Sequence, residues 1–136
     1  MNNYSAPNFV EASIDQVVAM AADFKEKGYA FVQMCASTLE DSVEFLYTFQ
    51  DPTYTNKGLQ GVRVNVPDGQ ACPSITGSYP AAFVFENEAH DLFGVNITGI
   101  NIDFAGEFYT VDVAYPMNPR AAEAPAVAEE EVADNE

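Results

Sequence analysis

The cleanest pattern in the chain lies at 41–50, where Val43, Phe45, Tyr47 and Phe49 alternate with Glu44, Thr48 and Gln50. A period of two places the apolar set on one face, so this segment predicts a half-buried strand. Val62, Val64 and Val66 repeat the alternation after a polar loop at 51–57. Two such strands joined by a short loop favour an antiparallel pair. Pro67-Asp68-Gly69 then reads as a turn. Upstream the period changes. Val17, Met20, Ala21 and Phe24 recur at helical spacing and predict a helix over 13–28, with Ser13 and Gln16 placed as a capping box and Gly28 as its stop. The apolar run at 29–35 predicts a buried strand, and residues 2–11 a loosely held arm.

A second helix is predicted over 80–93. Pro80 suits a first helical turn, and Gly94 can take the left-handed conformation that ends a helix at Phe93. Ala82, Phe85, Ala89 and Leu92 make an apolar stripe along it. Three carboxylates, Glu86, Glu88 and Asp91, and the single histidine, His90, are packed into six positions of this helix. Glu88 and Asp91 lie off the stripe, while Glu86 and His90 are spaced i, i+4 on a neighbouring face. Beyond it, Tyr109, Val111 and Val113 alternate within a strand-like segment at 104–113. From 116 onward Pro, Ala and Glu dominate, with too few large apolar groups to offset chain entropy, so residues 116–136 are expected to be a disordered acidic tail. The order of elements predicts one α+β domain over 1–115, a small mixed or antiparallel sheet with two helices packed on one face.

Charge narrows the partners. The chain carries 21 acidic against 5 basic residues, a net −16, and with the six tail acids set aside the body is still about −10. Such a field repels phosphate backbones and anionic headgroups, which argues against nucleic-acid binding and direct membrane adsorption. Nothing at the N-terminus reads as a cleaved leader, and no stretch approaches the roughly 20 apolar residues of a membrane span. Cys35 and Cys72 are far apart and fit neither a disulfide framework nor a zinc site. Iron–sulfur clusters typically take four cysteine ligands, twice the number this chain has.

The acidic helix offers three chemistries. For metal binding, one imidazole among carboxylates without H-E-x-x-H spacing is a poor zinc site, and an i, i+4 Glu86–His90 pair is the simpler reading. For hydrolysis, Glu86 and Glu88 are two apart on a helix and point in different directions. Glu88 and Asp91 share a face, but nothing Gly-rich or basic is there to hold an anionic substrate. Neither a nucleophile elbow, a phosphate loop nor a dinucleotide fingerprint occurs. The third reading is an interaction subunit, an exposed acidic helix docking on a basic groove, with Phe83, Phe93 and His90 as candidate contacts beside Glu86. No catalytic, cofactor-binding or metal-ligating residue is assigned.

The same residues carry a resemblance. Glu86, Glu88, Asp91, Leu92, Phe93, Gly94 and Val95 follow in order the signature E-R-E-x-x-D-[ML]-[FY]-G-[IV], with Asn87 in place of Arg. The segment resembles the NADH dehydrogenase 30-kDa subunit family, found in bacterial respiratory complex I and its hydrogenase relatives. The likeness covers about residues 43–99, including Pro73-Ser74-Ile75-Thr76 and Tyr79-Pro80-Ala81-Ala82. It fails downstream, where the family's basic H-P-D-L-R-R stretch is replaced by Ile100-Asn101-Ile102-Asp103-Phe104. The resemblance implies a cofactor-free peripheral-arm subunit on the cytoplasmic side of the membrane, in a hetero-oligomer with a large catalytic subunit and an iron–sulfur small subunit. The nickel–iron site and iron–sulfur clusters are then expected in those partners. Glu86, Glu88, His90, Asp91, Phe93 and Gly94 would be the interface signature. The short length and missing basic stretch favour an energy-converting [NiFe] hydrogenase over a quinone-reducing complex. A competing class is a free-standing acidic domain binding through its tail. It predicts that deleting 117–136 abolishes binding, whereas the subunit reading predicts disruption by charge reversal at Glu86 and Glu88.

Overall fold

The computed structural model describes residues 8–53, 59–102 and 114–123. The two alternating segments form β3 (Ser42–Gln50) and β4 (Leu59–Pro67), antiparallel, with Val43 opposite Val66, Phe45 opposite Val64 and Tyr47 opposite Val62. All six side chains are buried, as their period requires. They form the floor of the core. The predicted turn follows, with Gly69 at φ +85° and the Gln70 amide donating to the Pro67 carbonyl at 3.0 Å.

The neighbouring strands differ from expectation. β2 (Ala30–Thr38) is an edge strand antiparallel to β3, with Val32, Gln33 and Cys35 exposed, rather than the buried strand its apolar run predicts. Phe31 pairs with Phe49 but Gln33 pairs with Thr48, so the chain slips by one residue at Val32. That bulge lets Phe31 and Met34 both face the core, which a regular strand forbids. Residues Asn8–Ala12, expected to be part of a loose arm, form β1, which lies parallel to β4 at the opposite edge. The sheet is therefore mixed, in the order β1-β4-β3-β2. A separate parallel pair, β5 (Ala71–Pro73) with β6 (Asn96–Thr98), has no counterpart in the sequence reading.

Both helices cover the same face. α1 (Val17–Glu26) buries Val17 and Ala21, and its Phe24 stacks on Phe49 at 4.7 Å. It begins later than predicted because residues 13–16 form a turn, closed by the Ser13 amide donating to the Gln16 carboxamide oxygen at 2.9 Å. Gly28, at φ +88°, ends it as expected. A single 3-10 turn, Pro80–Ala82, leads into α2 (Phe83–Phe93), whose Phe85 meets Phe31 edge-on at 5.6 Å. Gly94 closes α2 in the left-handed conformation at φ +73°.

The segment assigned to the tail does not start where composition places it. The Met117 amide donates to the Leu92 carbonyl at 2.8 Å, Asn118 is buried, and α3 (Pro119–Glu123) follows. Composition misses this because the contacts are polar and spread over single residues. The strand-like segment at 104–113 and residues 124–136 lie outside the described residues.

Candidate functional site

The signature helix turns its most polar side chains inward. Glu86 is fully buried (0% exposed), Asn87 almost so, and the Asp91 side chain is 1% exposed. This removes Glu86 and Asp91 from the exposed acidic surface expected of α2 and leaves Glu88 on it. The apolar stripe holds in part, with Ala82 and Ala89 buried and Phe85 and Leu92 only half-buried.

Burial of Glu86 is matched by donors from the connector before the helix. Its Oε1 accepts the Ser74 hydroxyl at 2.6 Å and its Oε2 the Ile75 amide at 2.8 Å. Burial raises the Glu86 carboxyl above its ordinary value, and these two hydrogen bonds oppose the rise. With its proton given to Glu86, Ser74 Oγ can only accept from its other neighbours. It takes the Thr76 hydroxyl at 2.6 Å and the Thr76 amide at 2.9 Å. Thr76 Oγ1 in turn accepts the Asn101 amide at 3.0 Å, and the Ser74 amide reaches the Thr98 carbonyl at 2.8 Å. One carboxylate thus ties α2 to the connector, and the connector to the chain after β6. Nearby, burial pushes the Cys72 thiol up to about 11 and the Tyr47 phenol well above its usual range, their polar atoms 3.7 Å apart. This Cys72 is a buried thiol, not an activated one.

The expected Glu86–His90 pair is not formed. His90 Nδ1 lies 2.9 Å from Asp91 Oδ1, its ring one-third exposed and edge-on to Tyr115 at 6.3 Å. A carboxylate only accepts, so Nδ1 carries the hydrogen and Nε2 is left for other partners. Glu88 is half-buried, the most solvent-reachable carboxylate of the three. Phe93 is half-buried and packs on the core. Asn87, where the family pattern has Arg, donates from Nδ2 to the Phe83 and Ile102 carbonyls, both at 2.8 Å. The buried site of this Asn makes ready use of its short amide. Among the described residues, no three His, Cys, Asp or Glu side chains gather as a metal site.

The structure gives a part to residues that the sequence assigned no role: Ser74, Thr76, Tyr115, Asn118 and Arg120. For the first two a signal existed, since a buried glutamate needs donors and Ser74-x-Thr76 stands twelve residues upstream.

The family model described as "Respiratory-chain NADH dehydrogenase, 30 Kd subunit" matches residues 10–105. The chain belongs to this family. Among curated relatives it is 38% identical over 66 residues to a subunit of the NADH-quinone oxidoreductase of Sinorhizobium medicae (strain WSM419). That match covers 43% of this chain and 33% of the relative, so the chain spans about a third of that relative's length. The fold is shared with a chain in the structure of the membrane-bound sulfane sulfur reductase, an archaeal respiratory membrane complex. The TM-score is 0.67 at 21% identity, over 93% of this chain and 77% of that one. The family match includes the whole of α2 and the Glu86 network but stops before residues 114–123.

Proposed function

We propose that this chain is a cofactor-free, non-catalytic subunit of a membrane-bound, complex I-type oxidoreductase, seated against its large catalytic subunit on the cytoplasmic side. The observation that carries this reading is the family match running through an α2 whose signature carboxylate, Glu86, is an internal pin rather than a reactive group. A carboxylate consumed by Ser74 and Ile75 has no reach to substrate. What it supplies is a fixed helix, with Glu88 and His90 turned toward solvent. Two cysteines, one of them buried beside Tyr47, fall short of the ligand set of a cluster, so the redox centres belong to partner subunits. No helix among the described residues is long and apolar enough to cross a membrane, and attachment runs through those partners.

Within this class the missing basic stretch after Gly99 favours an energy-converting [NiFe] hydrogenase, with a nickel–iron site and iron–sulfur clusters in neighbouring chains. The name of the curated relative favours the second reading, a quinone-reducing complex. Mild-detergent affinity purification of the tagged chain from its own membranes, with mass spectrometry and metal analysis, separates them. Nickel in the co-purified large subunit supports the hydrogenase. The same assembly without nickel but with quinone reduction moves the chain to the second reading. Recovery of the chain alone sinks both.

A further inference from the structure

Residues 115–120 cross the C-terminal end of α2 as a strap. The Met117 amide donates to the Leu92 carbonyl at 2.8 Å, Asn118 Nδ2 donates to the Phe93 carbonyl at 2.9 Å, and the Thr38 hydroxyl donates to the Met117 carbonyl at 2.6 Å. Tyr115 lies against His90 and over Gly94. Arg120 fastens the far end, bidentate to Asp68 at 2.6 and 2.9 Å, and reaching the Leu39 and Ser42 carbonyls.

Three independent features mark this strap as poised to leave. Tyr115 sits at φ +49°, the single positive φ at a non-glycine residue among those described. Asn118 Oδ1 is buried without a hydrogen-bond partner. Met117, which meets β2 at Thr38, and Leu39, just past the end of that strand, are 53% and 43% exposed. The strap also lies outside the family-matched residues while covering the end of the family signature.

We infer that residues 115–120 are a displaceable strap, which covers the α2 C-terminal end in the isolated chain and yields it to a partner subunit. The strap defines the chemistry of its replacement: a segment offering N–H donors to the Leu92 and Phe93 carbonyls, an aromatic ring for Gly94 and His90, and an arginine for Asp68. This rests on the subunit reading above.

Hydrogen–deuterium exchange on the full-length chain, alone and within its purified membrane complex, tests it. The Met117 and Asn118 amides are expected to exchange at least about tenfold faster in the complex, while α2 keeps its protection. Arg120→Ala is expected to speed strap exchange in the isolated chain, leave β3 and β4 unchanged, and be recovered in the complex at least as well as wild type. Equal or greater strap protection in the complex overturns the inference, and so does a folded Arg120→Ala chain with reduced recovery. If the wild-type chain enters no complex at all, the subunit reading itself falls and this inference with it.

Discussion

At the scale of single residues, Glu86 is the sharpest test of what holds the signature in place. Glu86→Ala leaves the Ile75 amide and Ser74 hydroxyl without their acceptor and opens a void, so a loss of about 3 kcal/mol is expected in urea denaturation. Glu86→Gln behaves differently. Its oxygen still accepts from Ile75, its amide donates to Ser74 Oγ, Ser74 turns to Thr76, and Thr76 to the Gly99 carbonyl 3.5 Å away. The pH dependence separates charge from shape. Burial raises the folded-state carboxyl above its ordinary 4.5, so its contribution to stability is full below that value and is lost as pH rises through the folded one. Stability of Glu86→Gln relative to wild type is therefore expected to improve as pH rises from the ordinary carboxyl value through the raised folded one. A constant difference across that range rules out a raised Glu86. Gly94 is a second fixed point. A Cβ there would lie 2.6 Å from that of Ala121 and 3.0 Å from the Tyr115 ring, at a left-handed φ. Gly94→Ala is expected to lower stability by about 2–3 kcal/mol in thermal melts.

Among the elements, those that packing repeats along the chain were legible and those that depend on one exception were not. β3 and β4 announce themselves because every second side chain enters the core, and α2 because Pro80 and Gly94 punctuate it. β2 hides its character, since the slip at Val32 breaks the two-residue period of an apolar run interrupted only by Gln33. β1 shows no alternation because four of its five residues are exposed, and what fixes it is contact rather than pattern. The Phe9 ring occupies the space where a Gly61 side chain would stand and lies under the Arg63 guanidinium, which also pairs with Glu11 and Glu44. Gly61→Ala should expel that ring. The expected result is a loss of about 1–3 kcal/mol, with hydrogen-exchange protection falling in β1 and β4 while β2 and β3 hold. Unaltered β1 protection would show that the strand is held by its backbone ladder alone. The polar interior of α2 escaped notice for a related reason. A helix wheel assigns faces by hydropathy, whereas the donors that admit Glu86 come from the connector at 74–76.

Over the whole molecule the chain is strongly acidic, and among the described residues three cations are paired within the chain, Arg63 to Glu11 and Glu44, Arg120 to Asp68 and Lys27 to Asp23. A partner that docks on α2 therefore meets an acidic field with Glu88 as its most accessible signature carboxylate, and a basic surface suits it. The structure also redraws the tests that separate a complex subunit from a free acidic module. Charge reversal at Glu86 would place a cation in a fully buried site and unfold the chain whatever its partners. Deleting 117–136 would remove Asn118 and Arg120 along with the tail, so it would strip the strap as well and could not report on the tail alone. The informative pair is Glu88→Lys and deletion of 124–136. Removal of 124–136 takes away acidic charge but keeps the strap residues 115–120, and the complex should form as before. If the deletion abolishes partner binding and Glu88→Lys does not, the tail is the binding element and the acidic-module reading replaces the subunit. If neither changes recovery, the solvent face of α2 is not the docking surface, and the family signature serves only to hold the helix against the connector.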